Sequence, residues 1–230
     1  MLSESALVPL RSKAFIILVA SFVAVTAMVA SRISDTLDVH VLQALISSRT
    51  YALDIFMLIV TSTADILPFY LSPMLIISFI LLVRKRSRRL GAILIISVLV
   101  TTLLVLQIKN IVYKDRPEYE FKVEGLDYRI ELDAFSSSST YPSGHAARSA
   151  AFALILSYML RSRRINLGSL LWIYPILISI SRIYVGEHYP TDVIGGNILG
   201  LIVANTIGRA FKLDSTIDRG NKNDNKNKNG

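Results

Sequence analysis

The chain has 230 residues, 52% of them hydrophobic, with a mean hydropathy of +0.50 and a formal net charge of +8. That is too apolar for a soluble domain of this length and points to a multi-spanning membrane protein, while the cations lie in short clusters between apolar runs, as orienting loops do, and argue against nucleic acid as a partner. With no cysteine, disulfides, thiolate metal sites and a cysteine nucleophile are excluded.

Six apolar stretches predict an all-α, integral membrane six-helix bundle, each approaching the roughly 20 residues that cross a hydrocarbon core. The first covers residues 14–31. Arg11 and Lys13 precede it as they would a signal peptide, but its length and the spans that follow favour a retained helix. Residues 38–59 admit two readings. One is an amphipathic interfacial helix, with Leu37, Val41, Leu45 and Ile46 at helical spacing and Asp38, Gln43 and Arg49 between them. The other is a longer, tilted second span starting near Tyr51. The second span is otherwise drawn over 62–83 and the third over 90–112. An outer loop follows, acidic and aromatic over 118–133, which reads either as a lid or headgroup filter or as a solvated loop. The serine run 136–140 reads as a flexible connector. The last three spans cover 145–160, 165–185 and 193–211. The polar tail 214–230 is expected to be disordered, leaving residues 1–213 as one membrane-embedded domain.

Orientation follows from the basic clusters. Five of the six residues 84–89 and three of the four residues 161–164 are Lys or Arg. Together with Arg11 and Lys13 at the start and Arg209 and Lys212 at the end, six spans put all four clusters on one side. The positive-inside rule makes that side cytoplasmic, with both termini. The loop 113–141 and the turn 186–191 then share the extracytoplasmic face.

Those outer segments carry the chemistry. Lys109 and Arg116 are seven residues apart, two helical turns, which predicts that both face the same way at the lip of span three. Pro117 tends to end the helix there. Lys114, on another face, reads as a snorkelling residue. Pro142, Ser143, Gly144 and His145 open span four. Ser143 is an N-cap candidate, Gly144 allows close approach to the backbone, and the free N–H groups of a helix start attract an anion. Ser181, Arg182, His188 and Asp192 form the third group. Asp192, four residues after His188, is placed to accept a hydrogen bond from one ring nitrogen and leave the other for attack. Charges this close to a membrane are costly and mark a site.

The three groups, Lys-x6-Arg-Pro, Pro-Ser-Gly-His and Ser-Arg-x5-His-x3-Asp, resemble the signature of the type 2 phosphatidic acid phosphatase superfamily at every fixed position: Lys109, Arg116 and Pro117; Pro142, Ser143, Gly144 and His145; Ser181, Arg182, His188 and Asp192. The resemblance implies a lipid phosphatase with His188 as a nucleophile that forms a phosphohistidine and Asp192 orienting it. It implies that Lys109, Arg116 and Arg182 bind phosphate oxygens, helped by Ser143 and the Gly144 amide. His145 would protonate the leaving oxygen and then activate water. No metal or other cofactor is expected, since three cations and a helix start can neutralise the transferring group. The expected partner is a membrane lipid phosphate or pyrophosphate in the bilayer, a polyprenyl pyrophosphate first and phosphatidate or phosphatidylglycerophosphate second.

Other residues have less to say. Gly196, Gly200, Ala204 and Gly208 recur every fourth residue on span six, and Ala146, Ala147, Ala150 and Ala151 cluster on span four, which predicts close contact between the two helices. His40 reads as interfacial and Trp172 as packing. Asp65 and Pro68 are placed to line the site. A non-catalytic lipid-phosphate binder would be expected to have lost a histidine or Asp192, and a channel would carry more polar residues at mid-depth.

Overall fold

The computed structural model describes residues 7–65, 72–118, 121, 123, 139–160 and 167–213. Among these the chain forms nine helices and no strand: α1 (Lys13–Ala30), α2 (Asp35–Ile46), α3 (Tyr51–Ser62), α4 (Pro73–Val83), α5 (Arg88–Ile111), α6 (Gly144–Leu160), α7 (Leu167–Leu170), α8 (Ile173–Tyr184) and α9 (Pro190–Ala210). Three of them, α1, α5 and α9, are long and apolar enough to cross a membrane. Helix α6, with 17 residues, is about 25 Å long at the α-helical rise. Large apolar side chains face outward along these helices, among them Ile17, Val23, Leu99, Leu103 and Ile194. In water that outer surface would be a liability; against lipid it is the expected one. The protein is an all-helical, multi-pass membrane protein.

Helix α9 is the hub. It packs on α6, α1, α5, α8 and α2, and its contact with α6 rests on absent side chains. A Cβ added at Gly196 would lie 2.4 Å from the Ser143 carbonyl oxygen, and one at Gly200 would lie 2.1 Å from that of Ala147. The predicted small-residue stripe is therefore what brings the two backbones together. Its last member differs, because Gly208 faces the side chain of Leu7. Residues 7 and 8 strap onto this end of α9: Asn205 accepts from the Val8 N–H at 2.7 Å and donates to the Val8 carbonyl at 2.9 Å. Helix α1 packs on α9, and its Thr26 hydroxyl lies 2.7 Å from the Tyr141 hydroxyl.

Four predicted stretches coincide with α1, α5, α6 and α9 to within a few residues. The other two are broken. Span two does not run from 62 to 83: Ser62 ends α3, and α4 begins only at Pro73, whose ring suits a first turn because no N–H is needed there. Span five divides into α7 and α8 around Leu171–Trp172. Residues 38–59 match neither reading. They form α2 and α3, separated at 47–50, where the Thr50 hydroxyl accepts the Leu53 N–H and caps α3.

The apolar positions of α2 divide: Leu37 and Val41 are 62% and 37% exposed, whereas Leu45 and Ile46 pack against a core cluster that includes the buried Leu42. Asp38 is buried as well. Tail residues 214–230, Pro68 and most of the acidic loop lie outside the described residues. Of that loop, Val123 is buried and its N–H donates to the Val185 carbonyl. His40 is exposed, as expected, and Trp172 packs against the main core.

Candidate active site

Five residues join α8 to α9, and they carry His188. Gly186 adopts φ 78°, a conformation that L side chains rarely take. The turn is closed by the Arg182 carbonyl, which accepts the N–H groups of Glu187 and His188, both at 3.2 Å. Pro190 then starts α9 and brings Asp192 into its first turn. His188 and Asp192 are 3% and 0% exposed.

The two do not bond directly: His188 Nδ1 and Asp192 Oδ2 are 3.5 Å apart. Thr140 Oγ1 lies between them, 2.8 Å from each. Asp192 Oδ2 also accepts the Tyr189 N–H at 2.8 Å, which closes the start of the helix. Burial, followed by the positive fields of Arg182, Lys109, Arg116 and His145, pushes the His188 imidazolium well below the ordinary histidine pKa. His188 is accordingly a neutral base near pH 7.

Helix α6 begins against the same turn. The Ser143 N–H donates to the Asp192 carbonyl at 3.0 Å, and the Ser143 carbonyl accepts the Ala147 N–H, so Ser143 holds the N-cap position. Its hydroxyl does not cap the helix. It is fully buried, with no hydrogen-bond partner among the described residues. Leaving such a group unsatisfied costs about 1–3 kcal/mol, so an anion at the helix start would relieve a standing penalty. Space at Gly144 is filled by Arg148, whose Nη1 would lie 3.0 Å from a Cβ there. One residue on, His145 Nε2 lies 2.5 Å from Asp65 Oδ1. Asp65 follows the end of α3, so the break in the second apolar stretch delivers the carboxylate to this histidine.

The cations arrive by a different route than helical register. Helix α5 ends at Ile111, and Val112 is already extended; Arg116 therefore sits on an irregular segment and is not two helical turns above Lys109. Lys109, buried in the last turn of α5, donates to the Ser139 and Thr140 carbonyls. Arg116 Nη1 lies 2.7 Å from Glu187 Oε2, and Arg182 Nη2 lies 3.7 Å from the same oxygen. Arg182 also donates to Thr61 Oγ1 at 3.0 Å. Glu187 thus links both arginines from within the His188 turn.

Lys114 corrects the sequence reading most sharply. It does not snorkel; it is 7% exposed. Its ammonium lies 2.6 Å from Asp38 Oδ2, 2.8 Å from Thr191 Oγ1 and 3.3 Å from Asp192 Oδ1. Asp38 Oδ1 also accepts the Thr191 N–H at 3.0 Å, so α2 is pinned to the first turn of α9 by a buried carboxylate. Residues Ser139 and Thr140, assigned to a flexible connector, are fully buried and anchored. Ser139 donates to the Val112 carbonyl, and the Thr140 N–H donates to that of Lys114.

Sequence reasoning passed over Thr140, Glu187, Lys114 and Asp38. Glu187 had a signal in its place beside His188, and Asp38 had one as a charge flanked by Leu37 and Val39; Lys114, next to Asp115 and Arg116, had none of its own. Thr140 had none beyond standing two residues before Pro142.

Comparison with known proteins agrees with the signature. The family model of the PAP2 superfamily matches residues 88–213, more than half of the chain. An undecaprenyl-diphosphatase of Sulfolobus acidocaldarius is 34% identical over 128 residues, covering 54% of this chain and 56% of that protein. Phosphatidylglycerophosphatase B of Bacillus subtilis is 34% identical over 74 residues, 29% of this chain and 36% of that one. The matched stretch thus spans only about half or less of these curated relatives. In fold, the crystal structure of a transmembrane PAP2 type phosphatidylglycerolphosphate phosphatase from Bacillus subtilis superposes with a TM-score of 0.69 at 22% identity, covering 86% of this chain and 96% of that one.

Proposed function

The chain belongs to the PAP2 superfamily, and we propose that it is an integral membrane lipid phosphatase acting on a polyprenyl pyrophosphate through a phosphohistidine. The observation that carries the reading is His188: a buried neutral imidazole with Nδ1 engaged, in the combined field of Lys109, Arg116 and Arg182.

The chemistry follows from that placement. Lys109, Arg116 and Arg182, with the Ser143 hydroxyl and the Gly144 N–H, hold the oxygens of the terminal phosphate and spread its charge. The Nε2 lone pair of His188 forms the bond to phosphorus. The bond to the bridging oxygen breaks, its electron pair stays on that oxygen, and protonated His145 supplies the proton. Neutral His145 then takes a proton from water, the oxygen attacks phosphorus, and the P–N bond breaks, releasing inorganic phosphate and restoring His188. Asp65, against His145, is suited to stabilise its protonated form.

Three further elements belong to this reading. The basic clusters at 84–89 and 161–164 and at both chain ends support cytoplasmic termini and a catalytic face outside the cell. Residues 1–213 constitute the membrane-embedded phosphatase domain. Undecaprenyl-diphosphatase activity in a relative supports a polyprenyl substrate, and the phosphatidylglycerophosphatase relative supports the second candidate, phosphatidylglycerophosphate or phosphatidate.

Purified protein assayed on polyprenyl pyrophosphate, polyprenyl phosphate, phosphatidate and phosphatidylglycerophosphate tests the reading. Release is expected to be fastest from the pyrophosphate. His188→Ala should abolish it, and His145→Ala should slow it and accumulate phosphoenzyme. Normal turnover by His188→Ala would remove the covalent mechanism.

A further inference from the structure

Thr140 is outside the signature, yet its side chain is wholly enclosed between the histidine and the carboxylate. The two 2.8 Å contacts of its Oγ1 are hydrogen bonds, whereas the 3.5 Å between His188 Nδ1 and Asp192 Oδ2 is too long for one. A hydroxyl has one proton and two lone pairs, and a carboxylate only accepts. The Thr140 proton is therefore given to Asp192 Oδ2. The Glu187 carbonyl competes for it from 3.3 Å, but that contact is longer and the acceptor uncharged. With the proton spent, Thr140 can only accept from His188, which requires the ring to carry its hydrogen on Nδ1. The backbone holds the hydroxyl in place through the Thr140 N–H to the Lys114 carbonyl at 2.9 Å and through Lys109 on the Ser139 and Thr140 carbonyls.

We propose that Thr140 is a positioning residue through which Asp192 acts on His188, its hydroxyl fixing the imidazole as the Nδ1–H tautomer so that the Nε2 lone pair faces the phosphoryl group. The catalytic consequence rests on His188 being the nucleophile; the tautomer does not. When Nε2 bonds to phosphorus the ring becomes cationic. Its Nδ1–H then donates more strongly to Thr140, whose own proton stays on the side of Asp192. Nothing needs to transfer along the chain, since the carboxylate stabilises the cation through an oriented dipole.

The test uses the full-length protein with nitrogen-15 in its histidines, reconstituted in detergent. Wild-type His188, assigned by its loss in His188→Ala, is expected to show the shift pattern of an Nδ1–H imidazole near neutral pH. Thr140→Val should mix the two tautomers and lower kcat by about 10–100-fold, the scale of a misaligned reacting group, with KM nearly unchanged. Thr140→Ser, which keeps the hydroxyl, should restore both the shift pattern and most of kcat. An Nε2–H ring in the wild type would overturn the inference whatever the substrate, as would Thr140→Ser being as impaired as Thr140→Val. Absence of phosphate release from every lipid by the wild type would instead sink the assigned reaction, and the ring tautomer would still decide the bridge.

Discussion

Replacing Lys114 with methionine keeps most of the stem and removes the ammonium. In the native protein that ammonium serves three acceptors, Asp38 Oδ2 at 2.6 Å, Thr191 Oγ1 at 2.8 Å and Asp192 Oδ1 at 3.3 Å, and stands 4.6 Å above the Tyr189 ring. Asp38 is 1% exposed and Asp192 fully buried. The substitution leaves two carboxylates facing one another without their common cation. Removing one partner of a buried pair costs roughly 3–5 kcal/mol, and for a protein of this size each kcal/mol moves the midpoint by about 2–4 °C. Lys114→Met is thus expected to lower the unfolding temperature in detergent by roughly 6–20 °C, read from Trp172 fluorescence. The double variant Lys114→Met with Asp38→Asn should recover part of the loss, because one of the stranded charges is gone. A midpoint within about 2 °C of the wild type, or a double variant weaker than the sum of the singles, would refute the buried network.

Three other outcomes are expected. Burial and the surrounding cations hold His188 neutral well below its ordinary pKa near 6.5, so falling pH does not protonate the proposed nucleophile until that value has been passed; the acid limb of kcat/KM should lie below pH 6.5, and a limb above it assigned to His188 by mutation would contradict the site. Glu187→Gln removes the carboxylate shared by Arg116 and Arg182, so inorganic phosphate should inhibit more tightly, by about tenfold on the scale of one charged hydrogen bond, and an unchanged or weaker inhibition constant would show that Glu187 does not oppose anion binding. Gly200→Val would drive a side chain into the Ala147 carbonyl, and the folded yield in membranes should collapse, whereas substitution at lipid-facing Leu103 should be tolerated; an active, stable Gly200→Val protein would disprove the close contact of α9 with α6.

The fold was legible where a single property sufficed. Hydropathy located α1, α5, α6 and α9, because a helix that must satisfy its own backbone in lipid is long, apolar and continuous. It failed between residues 35 and 83, where composition stays apolar while the chain breaks twice. Those breaks depend on local chemistry: Thr50 capping α3 and Pro73 opening α4. Periodicity located α2 but not its buried charge. The apolar positions split between the outer surface, at Leu37 and Val41, and the core, at Leu42, Leu45 and Ile46, while Asp38 turns inward.

The site divides along the same line. Its signature residues were legible because each carries a requirement of sequence position: Gly144 and Ser143 must open a helix, and His188 must precede Asp192 by about one turn. Their supports need only meet in space. Asp38 reaches Thr191 across 153 residues, and Arg116 reaches Glu187 across 71, so no spacing could announce them. Both pairings have one physical cause. Cations beside lipid are costly unless they are paired. Glu187 supplies negative charge to Arg116 and Arg182, and Lys114, held by Asp38, supplies positive charge to Asp192. Under the proposed function, a substrate phosphate would compete with Glu187 for these arginines, so a residue outside the signature would tune its binding.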